Sequence, residues 1–205
     1  MVSRAELKKD AKSQLSGNWG LAIGVFLVYT LIMQITTALS GSTVTGNNET
    51  FLMVANIVGL LLYGPMAVGV NKFKLNLATK KNEAKFTDLF SGFNLFLKSS
   101  IITVLFNLAV ILGTMLFVIP GIIASLMFSQ SFIILAQNPE KSAIDCLKES
   151  AAIMKGNKMK LFILGLSFIG WMIVCVFTFG IGFLWYTPYY EMTMTNFYLN
   201  LNKKQ

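Results

Sequence analysis

Apolar positions along this chain gather into long uncharged runs rather than into stripes. No Asp, Glu, Lys or Arg occurs within Trp19–Asn48, Thr50–Asn71, Ser99–Pro139 or Leu161–Tyr190. A bilayer core about 30 Å thick takes roughly 20 helical residues. Each run therefore suffices for a crossing, and the third for two, divided at Pro120–Gly121. The pattern predicts six apolar helices near residues 19–39, 52–72, 99–118, 120–137, 160–179 and 182–201. Each returning helix carries a proline near its outer end, Pro65, Pro120 or Pro188, and each is expected to break its helix.

Polar segments precede the first helix of each pair, and each ends on a break rich in Gly and Asn: Gly17–Asn18, Gly92 and Gly156–Asn157. Ser3 and Glu6 have capping-box spacing, and Leu7, Ala11 and Leu15 share one helical face. Phe86, Leu89, Phe90, Phe93 and Leu97 form a second stripe. Asn138–Pro139–Glu140 reads as a helix start, followed by a third stripe of Ile144, Leu147, Ala151 and Met154. Such segments suit helices lying in the headgroup layer, and the Gly/Asn breaks suit corners where the chain turns into the bilayer. The expected fold is an all-α polytopic bundle of about six transmembrane helices in three hairpin-like repeats with in-plane amphipathic helices. It forms one domain over residues 1–205, with units at about 1–80, 81–139 and 140–205.

Composition and charge agree with that picture. Charged residues make up 13% of the chain, about half the usual share in soluble domains. The net charge of +8 is confined: all 17 Lys and Arg lie in Arg4–Lys12, Lys72–Lys98, Lys141–Lys160 and Lys203–Lys204. That asymmetry places both termini in the cytoplasm and accounts for the charge without a nucleic-acid partner. The loop Ser40–Thr50 is then outside. Trp19 marks the inner interface, and Trp185, Tyr186, Tyr189 and Tyr190 the outer one. The expected partners are the lipid bilayer, including anionic lipids, and a membrane protein.

Candidate chemistry is sparse. The chain has no histidine, so the commonest neutral-pH general base is missing. HExxH, GxSxG and Walker sequences do not occur, and Cys146 and Cys175 show no ligand or disulfide spacing. No catalytic residue, cofactor or metal site is expected. Glu191 is the one acid within an expected span, and intramembrane acids are functional candidates by default. Asn56, Asn107, Gln130 and Asn196 could line a polar path with it. Gly17, Gly20 and Gly24, and likewise Gly121, Ser125 and Ser129, have the spacing that lets helices approach closely.

Five pieces of the chain, "RAELKKDAKSQLSGNWG" (4–20), "FTDLFSGF" (86–93), "IPGIIASLMFSQSFIILAQNPE" (119–140), "SAIDCLKESAAIMKGNKMKLFILGLSFIGW" (142–171) and "TFGIGFLWYTPYYEMTMTNFYLNL" (178–201), resemble the domain of unknown function 975 family of bacterial integral membrane proteins. The resemblance implies a multi-pass protein of the bacterial plasma membrane and carries over no activity. The expected function is that of a non-enzymatic membrane protein acting on lipids or partner membrane proteins. The alternative is a transporter or channel component for a small solute.

Overall fold

The computed structural model describes residues 2–40, 49–80 and 82–202. It is all-helical, with no strand among the described residues. Among these residues, five helices are long and apolar enough to cross a membrane: Trp19–Ala38, Glu49–Thr79, Phe86–Leu116, Val118–Gln137 and Lys158–Phe177. The sixth expected crossing forms as a helix, Phe183–Asn202, but is not one of the five. Its second half mixes Thr and Asn with apolar residues and buries Met192, Thr193, Asn196, Phe197 and Tyr198, so protein rather than lipid screens it. Residues 41–48 of the expected outer loop and Lys203–Lys204 lie outside the described residues.

In chain order the helices are α1 (Arg4–Leu15), α2 (Trp19–Ser40), α3 (Glu49–Thr79), a 3-10 segment (Phe86–Leu95), α4 (Phe96–Leu116), α5 (Val118–Phe128), α6 (Ser131–Gln137), α7 (Ala143–Ile153), α8 (Lys158–Leu166), α9 (Ile169–Phe177) and α10 (Phe183–Asn202). The capping box opens α1: Ser3 N–H donates to Glu6 Oε2 at 2.7 Å and Glu6 N–H to Ser3 Oγ at 3.2 Å. Leu7, Ala11 and Leu15 are its buried face, as the spacing predicts.

Two of the three Gly/Asn breaks are corners with matching hydrogen bonds. Gly17 and Gly156 have φ of +82° and +74°, the left-handed region that glycine enters at little cost. Asn18 N–H donates to Leu15 O and Asn157 N–H to Met154 O, at 2.9 and 3.1 Å. The same two asparagines then accept from Ala22 and Leu161 N–H four residues ahead, at 2.9 and 3.1 Å. One turn closes the polar helix and opens the apolar one.

Gly92 departs from that expectation. The 3-10 segment runs through it into α4 without a corner, and its side chains repeat every three residues rather than every 3.6. Leu89 and Gly92 are buried against α3, while Phe90, Phe93 and Phe96 form an exposed column. Phe86 and Leu97, placed on the stripe by α-helical spacing, are exposed as well. Glycine is needed at 92 for approach: a Cβ there would stand 1.9 Å from Pro65 O, and one on Gly69 only 1.8 Å from Leu89 O.

Three further expectations change. Pro65 and Pro188 do not break helices; α3 and α10 continue through both, and Pro65 lies mid-helix rather than near an end. Pro120 sits in the first turn of α5, where its missing N–H costs nothing. The helix expected to start at Asn138–Pro139–Glu140 starts at Ala143, with Asp145 N–H donating to Ser142 Oγ at 3.1 Å. The Lys98 amine takes the Pro139 and Glu140 carbonyls at 2.7 and 3.3 Å, which holds that stretch as a turn. The buried face of α7 is accordingly Cys146, Leu147, Ser150 and Ile153, with Ile144 exposed.

Two apolar helices are interrupted, at Ser129–Gln130 and at Ser167–Phe168. Interrupted backbone at membrane depth needs protein partners, and a polar helix supplies one at each break. Ser150 of α7 accepts from Gln130 N–H at 3.1 Å and donates to Met127 O at 2.8 Å. Lys8 of α1 donates to Ser167 O at 3.0 Å, with its amine 4.1 Å from the Phe168 ring centroid. Helix α1 also lies beside the second half of α10, so the two terminal helices share one end of the molecule.

Candidate functional site

The residue that the charge pattern hides is Lys74. It belongs to a basic block that reads as surface, yet its helical face is that of Tyr63, Ala67, Val70 and Leu77, at spacings of 4, 3, 4 and 3 along α3. This face turns inward, leaving the Lys74 side chain 7% exposed. From α10, Glu191 meets it: the amine and Oε2 are 2.6 Å apart, and the glutamate side chain is 33% exposed. Glu191 thus packs against the second half of α3, partly screened from solvent. The helix register therefore contained the signal that block-wise charge counting discarded.

The ion pair stands in the wall of a cavity of about 560 Å3 enclosed by α2, α3, α5, α6, α8 and α10. Asn71, Ser125, Ser129, Gln130 and Thr195 add polar lining, facing Phe26, Leu126, Ile133 and Leu166. Most of these polar groups are tied to nearby backbone: Asn71 donates to Ala67 O, Ser125 to Ile122 O, Ser129 to Leu126 O and Thr195 to Glu191 O, at 2.8–3.0 Å. Gln130 Nε2 donates to Ser129 Oγ at 2.9 Å. The Ser125, Ser129 and Thr195 hydroxyl hydrogens are thereby engaged, while Asn71 and Gln130 each keep a second amide N–H and the oxygens keep acceptor capacity. The lining therefore offers one ammonium, one carboxylate and a fringe of amide and hydroxyl groups that can donate or accept.

A second cavity, about 700 Å3, adjoins the first and shares Tyr29, Thr30 and Tyr63 with it. Asn56, Asn107, Gln34 and Thr37 line it. The five candidate residues thus separate: Gln130 and Glu191 in the first cavity, Asn56 and Asn107 in the second, and Asn196 in neither. Asn196 makes a reciprocal amide pair with Gln14, at 2.9 and 3.0 Å, and fastens α10 to α1. It is a structural bond between terminal helices. Among the described residues no three of His, Cys, Asp and Glu converge to hold a metal.

Outside the spanning helices, Cys146 on α7 is fully buried, and burial followed by the Glu149 carboxylate pushes its thiol up to about 11. A folded value above the ordinary 9.0 adds stability that is complete below that pH and is lost as pH rises toward about 11. At pH 7.5 maleimide should label native Cys146 at least ~100-fold more slowly than the SDS-unfolded chain, because the thiolate is the nucleophile. Equal rates would show that the thiol is accessible.

No curated protein matches the chain, and no solved structure matches it. The family model described as "Protein of unknown function (DUF975)" matches residues 1–124 and 114–205, which together span the whole sequence. With its apolar helices and that full-length match, the chain belongs to the DUF975 family of proteins of unknown function.

Proposed function

We propose that this protein is a non-enzymatic, multi-pass membrane carrier or channel component for a small zwitterionic solute. The observation that carries the reading is the Lys74–Glu191 pair in the wall of a polar cavity adjoining a second. A solute bearing both an ammonium and an acid group can exchange partners with such a pair without leaving either charge bare. The sequence favours action on lipids or partner proteins on the strength of its basic in-plane segments, small outer loops and lack of catalytic residues, with four amides and one acid a sparse lining for a highly charged solute. The cavities add a lysine, three tyrosines, five threonines, two serines and two further amides, Asn71 and Gln34, to that lining, and so weigh toward the carrier.

The absence of histidine and the engagement of the Lys74 amine by Glu191 support a non-enzymatic role. Placement in a bacterial plasma membrane rests on the resemblance, and a cytoplasmic position for both termini rests on the basic blocks together with the packing of α1 on α10. The matching corners at Gly17–Asn18 and Gly156–Asn157 support in-plane placement of α1 and α7 and the first and third of the three units.

In liposomes, the protein is expected to speed exchange of labelled zwitterions such as amino acids or betaines. Glu191→Gln should lower that exchange by at least about tenfold, the equivalent of ~1.4 kcal/mol of lost interaction. Exchange that survives Glu191→Gln intact, or no exchange across such a panel, would reject the carrier.

A further inference from the structure

All three tryptophans of the chain line one pocket. Trp19 comes from the start of α2, Trp171 from α9 and Trp185 from α10, with Tyr186 and Tyr189 completing an aromatic wall. Sequence places Trp19 and Trp185 at opposite faces of the membrane. The structure brings them together because the α9–α10 hairpin folds back beside the start of α2. The pocket holds about 280 Å3. Gly182 shuts its base, since a Cβ there would stand 2.9 Å from Cys175 Sγ. Trp171 meets Tyr189 edge-on, with centroids 6.5 Å apart, so the rings frame the space instead of filling it.

Two features say what fits. Lys12 of α1 is the one charged residue on the pocket and is exposed, and its amine makes no hydrogen bond or ion pair with the described residues. Next to the pocket, Met172, Ile173 and Val176 on α9 are 45%, 54% and 67% exposed, an apolar track of the kind lipid chains cover. We infer that this aromatic pocket is a specific site for an anionic glycerophospholipid, whose phosphate pairs with Lys12 while the glycerol end of one acyl chain enters between the tryptophans. The volume lies just under the roughly 300–1,000 Å3 of pockets that enclose whole small molecules. It suits one segment of a lipid whose remainder lies along α9. A free cation would also favour the ring faces, but Lys12 at the rim repels it. The site shares no residue with the Lys74–Glu191 cavity and does not depend on the carrier reading.

Because every tryptophan lies on the pocket, selectively excited tryptophan fluorescence reports on it. The full-length protein would be placed in phosphatidylcholine nanodiscs carrying rising fractions of brominated phosphatidylglycerol or, separately, brominated phosphatidylcholine. The site predicts saturable quenching reached at about fivefold lower mole fraction for the anionic lipid, the worth of one lysine at an anionic surface. Lys12→Gln should erase that difference, whereas Lys9→Gln, an equal loss of charge on the same helix, should preserve it. Equal quenching by the two lipids, unsaturable quenching, or identical effects of Lys12→Gln and Lys9→Gln would each overturn the site in favour of bulk lipid contact. Exchange of zwitterions by Lys12→Gln should match wild type, so this result and the carrier result fail separately.

Discussion

Gly69→Ala and Gly92→Ala are each expected to destabilise the protein by about 3 kcal/mol or more, at the top of the usual range for overpacking. Both added methyls meet backbone, which has no rotamer through which to retreat. On Gly69 the Cβ lies 1.8 Å from Leu89 O and 3.0 Å from Asp88 O; on Gly92 it lies 1.9 Å from Pro65 O and 2.9 Å from Gly69 N. Relief requires the 3-10 segment to move off α3. That motion opens the contact holding Leu89 at 0% exposure and the bond from Asn76 Nδ2 to Asp88 Oδ2 at 2.9 Å. Gly20→Ala supplies the contrast. A Cβ at 20 meets nothing within 4 Å, so alanine should stabilise α2 by up to about 1 kcal/mol through helix propensity. Thermal unfolding in detergent, followed by size-exclusion fluorescence, should place the first two variants roughly 6–12 °C below wild type, on a scale of 2–4 °C per kcal/mol. Similar midpoints for Gly69→Ala and Gly20→Ala would mean that the 3-10 segment does not pack on α3 in this way.

These glycines also show what the sequence could and could not convey. Spacing at i, i+3, i+7 marks Gly17, Gly20 and Gly24 as a close-packing stripe, but no neighbour comes within 4 Å of a Cβ at any of them. Glycines that do permit close contact with a distant element, Gly64 and Gly69 of α3 and Gly92 of the 3-10 segment, lack that spacing, and only the pairing of distant elements reveals them. Gly121 falls between these cases, since the Pro120–Gly121 turn brings it against Thr114 of the preceding helix. Local signals were legible where neighbours in sequence decide the outcome. The Ser3–Glu6 cap, the α1 stripe and the corners at Gly17 and Gly156 depend on a few adjacent residues. The period of Phe86–Leu95 was readable too, as Leu89, Gly92 and Leu95 at steps of three, but a search for helical faces absorbs those positions into a 3.6 pattern.

The apolar runs marked five helices long and apolar enough to cross a membrane, while the sixth expected crossing is not among them, because an uncharged run does not tell lipid-facing surface from protein core. Helix α10 continues the charge-free run through Tyr190 and then turns polar where α1 and α3 cover it. The candidate site was half legible for the same reason. Glu191 stood out as an acid in an apolar setting, while Lys74 was lost among the flanking lysines whose outward faces are solvated.

That pair carries the second large expectation. Glu191→Leu leaves the Lys74 ammonium, 7% exposed, without its partner, and breaking a buried pair in this way costs about 3–5 kcal/mol. Lys74→Met is expected to cost less, on the order of 1–3 kcal/mol, because the stranded carboxylate is 33% exposed and keeps access to water in the cavity. Combining Lys74→Met with Glu191→Leu removes both charges and fills similar volume, and should return stability to within about 1 kcal/mol of wild type. The order of melting midpoints is therefore Glu191→Leu lowest, Lys74→Met intermediate and the double variant near wild type. Exchange should not follow that order. If the pair is where a zwitterion docks, the double variant is stable yet as inactive as either single one, since neither the ammonium nor the carboxylate of the solute finds its counter-charge. A double variant that regained both stability and exchange would reduce Lys74–Glu191 to a structural bond between α3 and α10. A stable, inactive protein would separate the site from the scaffold that holds it.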